Sequence, residues 1–286
     1  MSAAPSVLFD APGPRTIARH RIYTVVALAA LLAALAFVVW RLYDREQLTY
    51  EKWEVFVTPA YMQAILVDGL LTTLQMAVSA VLLAVVFGLV FGVGKLSDNW
   101  WLRWPCWAVV EFFRAVPVLL LMILVFFSWG IRGGDSGAYW TVVIALMLYN
   151  GAVLAEVFRA GIQAVPSGQA EAAYAVGMRK SQVMNIILLP QGVKIMLPAI
   201  ISQMVVALKD TSLGYVVAAP GLTAVGKLIW NGEQNQVPTA IVLAALYVAT
   251  NLVLTLLATL AQKRLVGEKK PLEVSMVSHL DEGRKA

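Results

Sequence analysis

Four groups of polar residues stand inside otherwise apolar stretches, and their types and spacing limit the chemistry available to the chain. Glu111 and Arg114 lie three apart, as do Glu156 and Arg159. On a helix that spacing puts acid and base on one face, where they can pair. A charge at the centre of a membrane helix costs about 2.5–3.5 kcal/mol on insertion scales, so each needs a partner or a cavity. The two pairs then either line a path or hold helices together near one side of the bilayer.

Lys209-Asp210-Thr211-Ser212 poses a different problem. Adjacent residues do not share a helix face, so Lys209 and Asp210 cannot neutralise each other along the helix. Such a cluster suits an amphoteric ligand. Lys209 would meet a carboxylate, Asp210 an ammonium, and the hydroxyls of Thr211 and Ser212 would orient both. The plain alternative is an anchor pair at the membrane interface. Asn150, alone in an apolar run, is a further substrate-cavity candidate, with a purely structural role as its alternative.

Catalytic groups are lacking. There is no nucleophile–base constellation and no metal-ligand cluster. Cys106 is the single cysteine, and His20 and His279 fall in the tails. A partial phosphate-loop pattern, Gly221 to Gly226-Lys227, is followed by Leu228 where Mg²⁺ ligation needs Ser or Thr. Neither a catalytic nor a metal site is expected.

The elements that hold these residues are set by composition. The 286 residues are 60% hydrophobic and 14% charged, with a mean hydropathy of +0.75. Long uncharged runs demand a bilayer as solvent, so the fold class is an all-α integral membrane bundle. The formal charge of +5 clusters beside apolar runs, which reads as membrane topology and not as nucleic-acid binding. Residues 1–21 read as a cytoplasmic tail whose Arg15, Arg19 and Arg21 orient a retained first helix, 22–41. An extracytoplasmic linker, 42–64, follows. Five further spans are expected at about 65–93, 105–131, 139–165, 193–218 and 238–261, giving about six in all. Pro117 should kink the third, and a Gly/Asn-containing outer loop should join the last two. Both termini then lie in the cytoplasm of a multi-pass plasma (inner) membrane protein, with a charged, disordered tail over 265–286.

Between the fourth and fifth spans lies EAAYAVGMRKSQVMNIILLP, Glu171 to Pro190. Ser167 should cap a short helix, Gly177 turn the chain, Ser181 cap a second helix, and Pro190 mark a bend. This is a helix–glycine–helix elbow at a membrane face.

The spacing Glu171-Ala172-Ala173, Gly177, Ile187, Leu189-Pro190 resembles the EAA loop of permeases in ATP-binding-cassette (ABC) importers. The strings EFFRAVP, AEVFRAGI and KDTSL resemble the polar amino-acid permeases within that class, of the glutamate/glutamine type. The resemblance covers about 65–264, a transmembrane domain with a five-helix core, to which the first helix is an addition. It implies a permease for polar amino acids, without its own ATPase site, in a complex with a second permease chain that is identical or homologous. It further implies a cytoplasmic ABC ATPase dimer holding ATP and Mg, and an extracytoplasmic substrate-binding protein. The elbow would couple to the ATPase. Two alternatives remain: a permease of this class for an osmolyte or methionine, and an ion-coupled secondary transporter. The latter should show paired interrupted helices in two halves, which the sequence lacks.

Overall fold

A computed structural model describes residues 13–266, and every regular element among them is helical. The expectations for the first twelve residues and for the tail beyond Val266 lie outside the described residues. The chain divides into two compact units, one up to Thr58 and one from Pro59 onward.

In the first unit α1 (Pro14–Asp44) starts with Pro at its first turn and Gly13 extended before it. Proline lacks only a donor that has no partner there, and its φ already suits a helix. The helix therefore begins eight residues before the apolar run and carries Arg15, Arg19 and Arg21 on its opening turns. That corrects the expected boundary at Ile22. A short helix, Tyr50–Glu54, and a 3₁₀ turn follow, and Trp53 Nε1 donates to the Gln47 carbonyl at 3.0 Å.

The second unit is built on α2 (Pro59–Gly94), α3 (Trp100–Ala115), α4 (Val118–Ser128) and α5 (Gly134–Gln163). These are followed by α6 (Ser167–Ala175), α7 (Lys180–Val217), α8 (Leu222–Gly232) and α9 (Gln236–Val266). Helix α5 is the hub. Its Val142, Val143, Ala145 and Leu146 pack with Met76 and Ala80 of α2, and with Leu121 and Met122 of α4. About two turns further on, Leu154 and Phe158 meet Ala84 of α2 and Ile200 of α7, and Ala152 and Ala155 meet Val110 of α3.

Close approach of α2 to α5 is the reason for two glycines. A Cβ on Gly88 would sit 2.7 Å from Leu154 Cβ, and one on Gly92 2.6 Å from the Ala155 carbonyl oxygen. In lipid, where apolar burial gives no drive, such small-residue contacts are what let helices associate.

Among the described residues five helices are long and apolar enough to cross a membrane, or six if the bent pair α3–α4 is one span. Their outward faces are apolar and exposed, for example Leu252, Leu256 and Leu260 of α9. A bilayer is the solvent such faces require.

Three expectations need correction. The third span is not a kinked single helix: α3 and α4 meet at 104°. Val116, held extended by the ring of Pro117, breaks the ladder, and Pro117 has no N–H to restore it. The expected outer loop after the fifth of these spans contains α8, whose Leu222, Gly226 and Ile229 are buried. Its apolar residues recur at helical spacing, so the Gly and Asn content misled the reading. Finally, Pro190 does not separate the elbow from the next span. The chain is helical from Lys180 to Val217, because a π-helical turn, Val183–Leu188, precedes the proline. A wide turn relieves the clash that proline makes with the preceding carbonyl.

Gly92→Val should destabilise the detergent-solubilised protein by about 1–3 kcal/mol of overpacking, read as a lower thermal unfolding midpoint. Gly133→Val, with nothing within 4 Å of its Cβ position, should leave the same thermal melt unchanged.

Candidate functional site

The elbow is rigid for identifiable reasons. Helix α6 closes with Gly177 at φ +83°, a left-handed conformation that costs an L-residue roughly 1–2 kcal/mol. The Gly177 N–H donates to the Tyr174 carbonyl at 2.9 Å and the Met178 N–H to Ala173 at 3.2 Å. This six-residue double closure is the Schellman motif, which satisfies carbonyls the helix end would leave free.

Two capping expectations were wrong. Pro166, not Ser167, occupies the position before α6, and no side chain caps it. Helix α7 is capped from Arg179, whose N–H donates to Gln182 Oε1 at 2.8 Å, so Ser181 lies inside the helix. A Gln three residues on makes that reach, which the shorter Ser two residues on does not.

Of the elbow residues, Ala173 is buried, while Ile187 and Leu189 are half-buried. Glu171, Ala172, Gly177 and Pro190 are exposed. Beside them Tyr174 is 47% and Val176 78% exposed. Ala173 and the buried Val183 anchor the elbow to α7, so the exposed face is presented by a fixed scaffold.

The two acid–base pairs converge. Arg114 Nη1 lies 3.3 Å from Glu111 Oε1, and Arg159 Nη2 lies 2.9 Å from Glu156 Oε2. Between them is Lys95, the residue that follows α2. Its Nζ is 3.2 Å from Glu111 Oε1 and also pairs with Glu156. The Lys95 side chain is only 6% exposed. A cleft of about 380 Å³ opens on the cluster, lined also by Arg103, Trp104 and Trp107.

The structure does not bring the other candidates into this cluster. Asn150 is buried and committed: its Nδ2 donates to the Leu146 carbonyl at 2.9 Å, and its Oδ1 accepts from Gln203 Nε2 at 2.6 Å. It ties α5 to α7. Lys209 is exposed, Asp210 and Ser212 are half-buried, and Thr211 is buried. There α7 tightens from α-helix to a 3₁₀ segment, Thr211–Val217. The Thr211 hydroxyl donates to the Leu208 carbonyl at 2.6 Å. Lys209 and Asp210 thus face different surroundings.

Sequence reasoning missed Lys95, Asp98, Gln203 and a hydroxyl group beside α8. The partners of Lys95 are 16 and 61 positions away, beyond any spacing rule. Gln203 was findable, since an amide in an apolar span raises the same question as Asn150. Thr73 accepts from the Leu222 N–H at 2.8 Å, and Tyr247 and Thr223 hydroxyls are 3.0 Å apart. These bonds seat α8 against α2 and α9.

Paired charges thus sit at one place in a bundle of apolar helices that also presents an exposed elbow. Residues 84–267 match the family model described as the inner membrane component of binding-protein-dependent transport systems, and the chain belongs to that family. It is 40% identical over 222 residues to the glutamate transport system permease protein GluD of Corynebacterium glutamicum, covering 77% of this chain and 81% of that one. It is 34% identical to the probable glutamine ABC transporter permease protein GlnP of Bacillus subtilis, covering 70% and 94%. A crystal structure of an amino acid ABC transporter with histidines aligns with a TM-score of 0.66 at 30% identity, over 73% of this chain and 98% of that one.

Removing either amide, by Asn150→Ala or Gln203→Ala, should destabilise the bundle. A double-mutant cycle read by thermal unfolding should give a coupling of about 0.6 kcal/mol, the average for polar pairs between membrane helices, and at most about 1.7 kcal/mol.

Proposed function

We propose that the chain is the permease subunit of an ATP-driven ABC importer for polar amino acids, with glutamate and glutamine the first candidates. The 40% identity to a glutamate permease carries the substrate class. The rigid elbow with its exposed apolar face carries the mechanism. Val176 and Tyr174 jut from a glycine-closed turn outside the spanning segments, and exposed apolar residues on a rigid scaffold suit burial in a partner. The partner is an ATPase dimer that holds ATP and Mg²⁺, placing the elbow and both termini on the cytoplasmic side. A second permease chain and an extracytoplasmic binding protein complete the complex.

In this reading ATP binding closes the ATPase dimer and displaces the elbow. Helix α7 starts three residues after Gly177 and runs unbroken to Val217, so a push at the elbow is carried along the span. The bundle then switches between two packings, with the path open to one side at a time. Substrate released by the binding protein would meet Lys209, Asp210 and Ser212 near the far end of α7. Their opposite charges match the carboxylate and ammonium of an amino acid. Asn150 and Thr211 shape that region through their hydrogen bonds to Gln203 and Leu208.

Gly177→Glu should abolish uptake and substrate-stimulated ATP hydrolysis while insertion into the membrane stays intact, measured on the complex in proteoliposomes. Normal uptake by that variant would remove the elbow from the mechanism. Competition among glutamate, glutamine, arginine and histidine in the same vesicles should favour the first two. Lys209→Ala should raise KM for the winning substrate about tenfold, the effect of one lost charge-assisted contact.

A further inference from the structure

The α2–α3 loop carries a second connection to the elbow that no spacing pattern announces. Asp98 pairs with Lys180 in the first turn of α7, and three residues earlier Lys95 pairs with Glu111 of α3 and Glu156 of α5. We propose that this loop is a relay. Lys95 is a positioning residue that transmits displacement of the elbow to the ends of α3 and α5, and so couples ATPase closure to reorientation of the path. The proposal rests on the elbow reading above.

The loop is built to move as one piece. The backbone N–H groups of Lys95, Leu96 and Ser97 donate to Phe91, Val93 and Gly94 at 2.9, 2.9 and 3.1 Å. Asn99 Oδ1 accepts from the Trp101 N–H at 3.1 Å, which fixes the start of α3. A pull on Asp98 therefore reaches Lys95 through at most one helical turn of bonded backbone.

Lys95 cannot let go cheaply. Its ammonium is nearly excluded from solvent, and swinging it away would leave two carboxylates short of a cation near the membrane. Each carboxylate is also braced by an arginine three residues on, at 3.3 Å for Glu111 and 2.9 Å for Glu156. The acids thus act as fixed handles on α3 and α5. Two independent Glu–Arg pairs would each be self-sufficient. One lysine shared between them makes the two helix ends move together.

The test uses the complete transporter in proteoliposomes, with labelled glutamate and glutamine as probes. Lys95→Met should lower uptake per ATP hydrolysed by about fivefold, within the range found along coupled networks, while ATP hydrolysis stays within about twofold. Lys95→Arg should restore coupling. Asp98→Lys should lower uptake per ATP about twofold, and adding Lys180→Asp should recover it, as expected of an exposed pair. Asp98 is 80% exposed, so this arm decides even if Lys95→Met fails to assemble. Wild-type coupling in both Lys95→Met and Asp98→Lys overturns the relay. So does a loss of uptake that tracks loss of folded complex in both variants. If Gly177→Glu blocks uptake while these variants transport normally, the relay alone falls. If Gly177→Glu also transports normally, the elbow reading falls with it.

Discussion

An ionised carboxylate near a bilayer has few stable arrangements, and Glu111 and Glu156 have taken one in which three cations share two acids. The cost of an unpaired charge at the centre of a membrane helix, about 2.5–3.5 kcal/mol, exceeds what one ordinary packing contact returns. Helix ends that carry such groups are therefore drawn together by charge before shape is considered. The cluster ties the residue just past α2 to the closing turns of α3 and of α5 at one place. Much of the second unit follows from that knot, since α5 is also the helix against which α2, α4 and α7 pack.

Backbone geometry supplies what charge cannot. Gly88 and Gly92 let α2 lie almost backbone to backbone on α5, which brings Lys95 at the end of α2 within reach of Glu156. A bulkier residue at either position would push that end away and lengthen the ion pairs. Gly177 does the opposite work: it has open space around it, and its value is the left-handed turn alone. One pair of glycines gives proximity and the other glycine gives direction. The π turns in α2, Ala64–Leu71, and in α7, Val183–Leu188, adjust helix phase without breaking hydrogen bonding, which lipid would penalise.

Local features of the fold were readable where a single rule decided them. Apolar length located the spanning segments, three-residue spacing pointed to the Glu–Arg pairs, and glycine between two short helices pointed to the elbow. Errors arose where two rules competed. Pro190 signals a boundary, yet a π turn before it kept α7 continuous. Pro117 signals a kink, yet with Val116 forced extended the helix turned through 104°. Gly and Asn around 219–237 signal a loop, yet the spacing of Leu222, Gly226 and Ile229 built α8. Lys95 and Asp98 were unreadable for another reason. Their partners come from helices distant in sequence, and only tertiary packing sets such pairs.

The two links of the α2–α3 loop differ in how firmly they are held. Asp98 and Lys180 are 80% and 47% exposed, and exposed pairs contribute about 0.2–1 kcal/mol. Thermal motion breaks such a pair readily, and its partners are solvated when it opens. Lys95 is held more firmly, because its side chain is only 6% exposed and pairs with two carboxylates at once. A switch between two packings needs both kinds of joint: one that yields at low cost, and one that holds so motion is not lost on the way. The solvent gradient across one short loop supplies both, with the yielding joint next to the elbow and the holding joint next to the bundle. In the proposed relay, force applied at the elbow would reach the exposed Asp98–Lys180 pair first and the buried Lys95 links second.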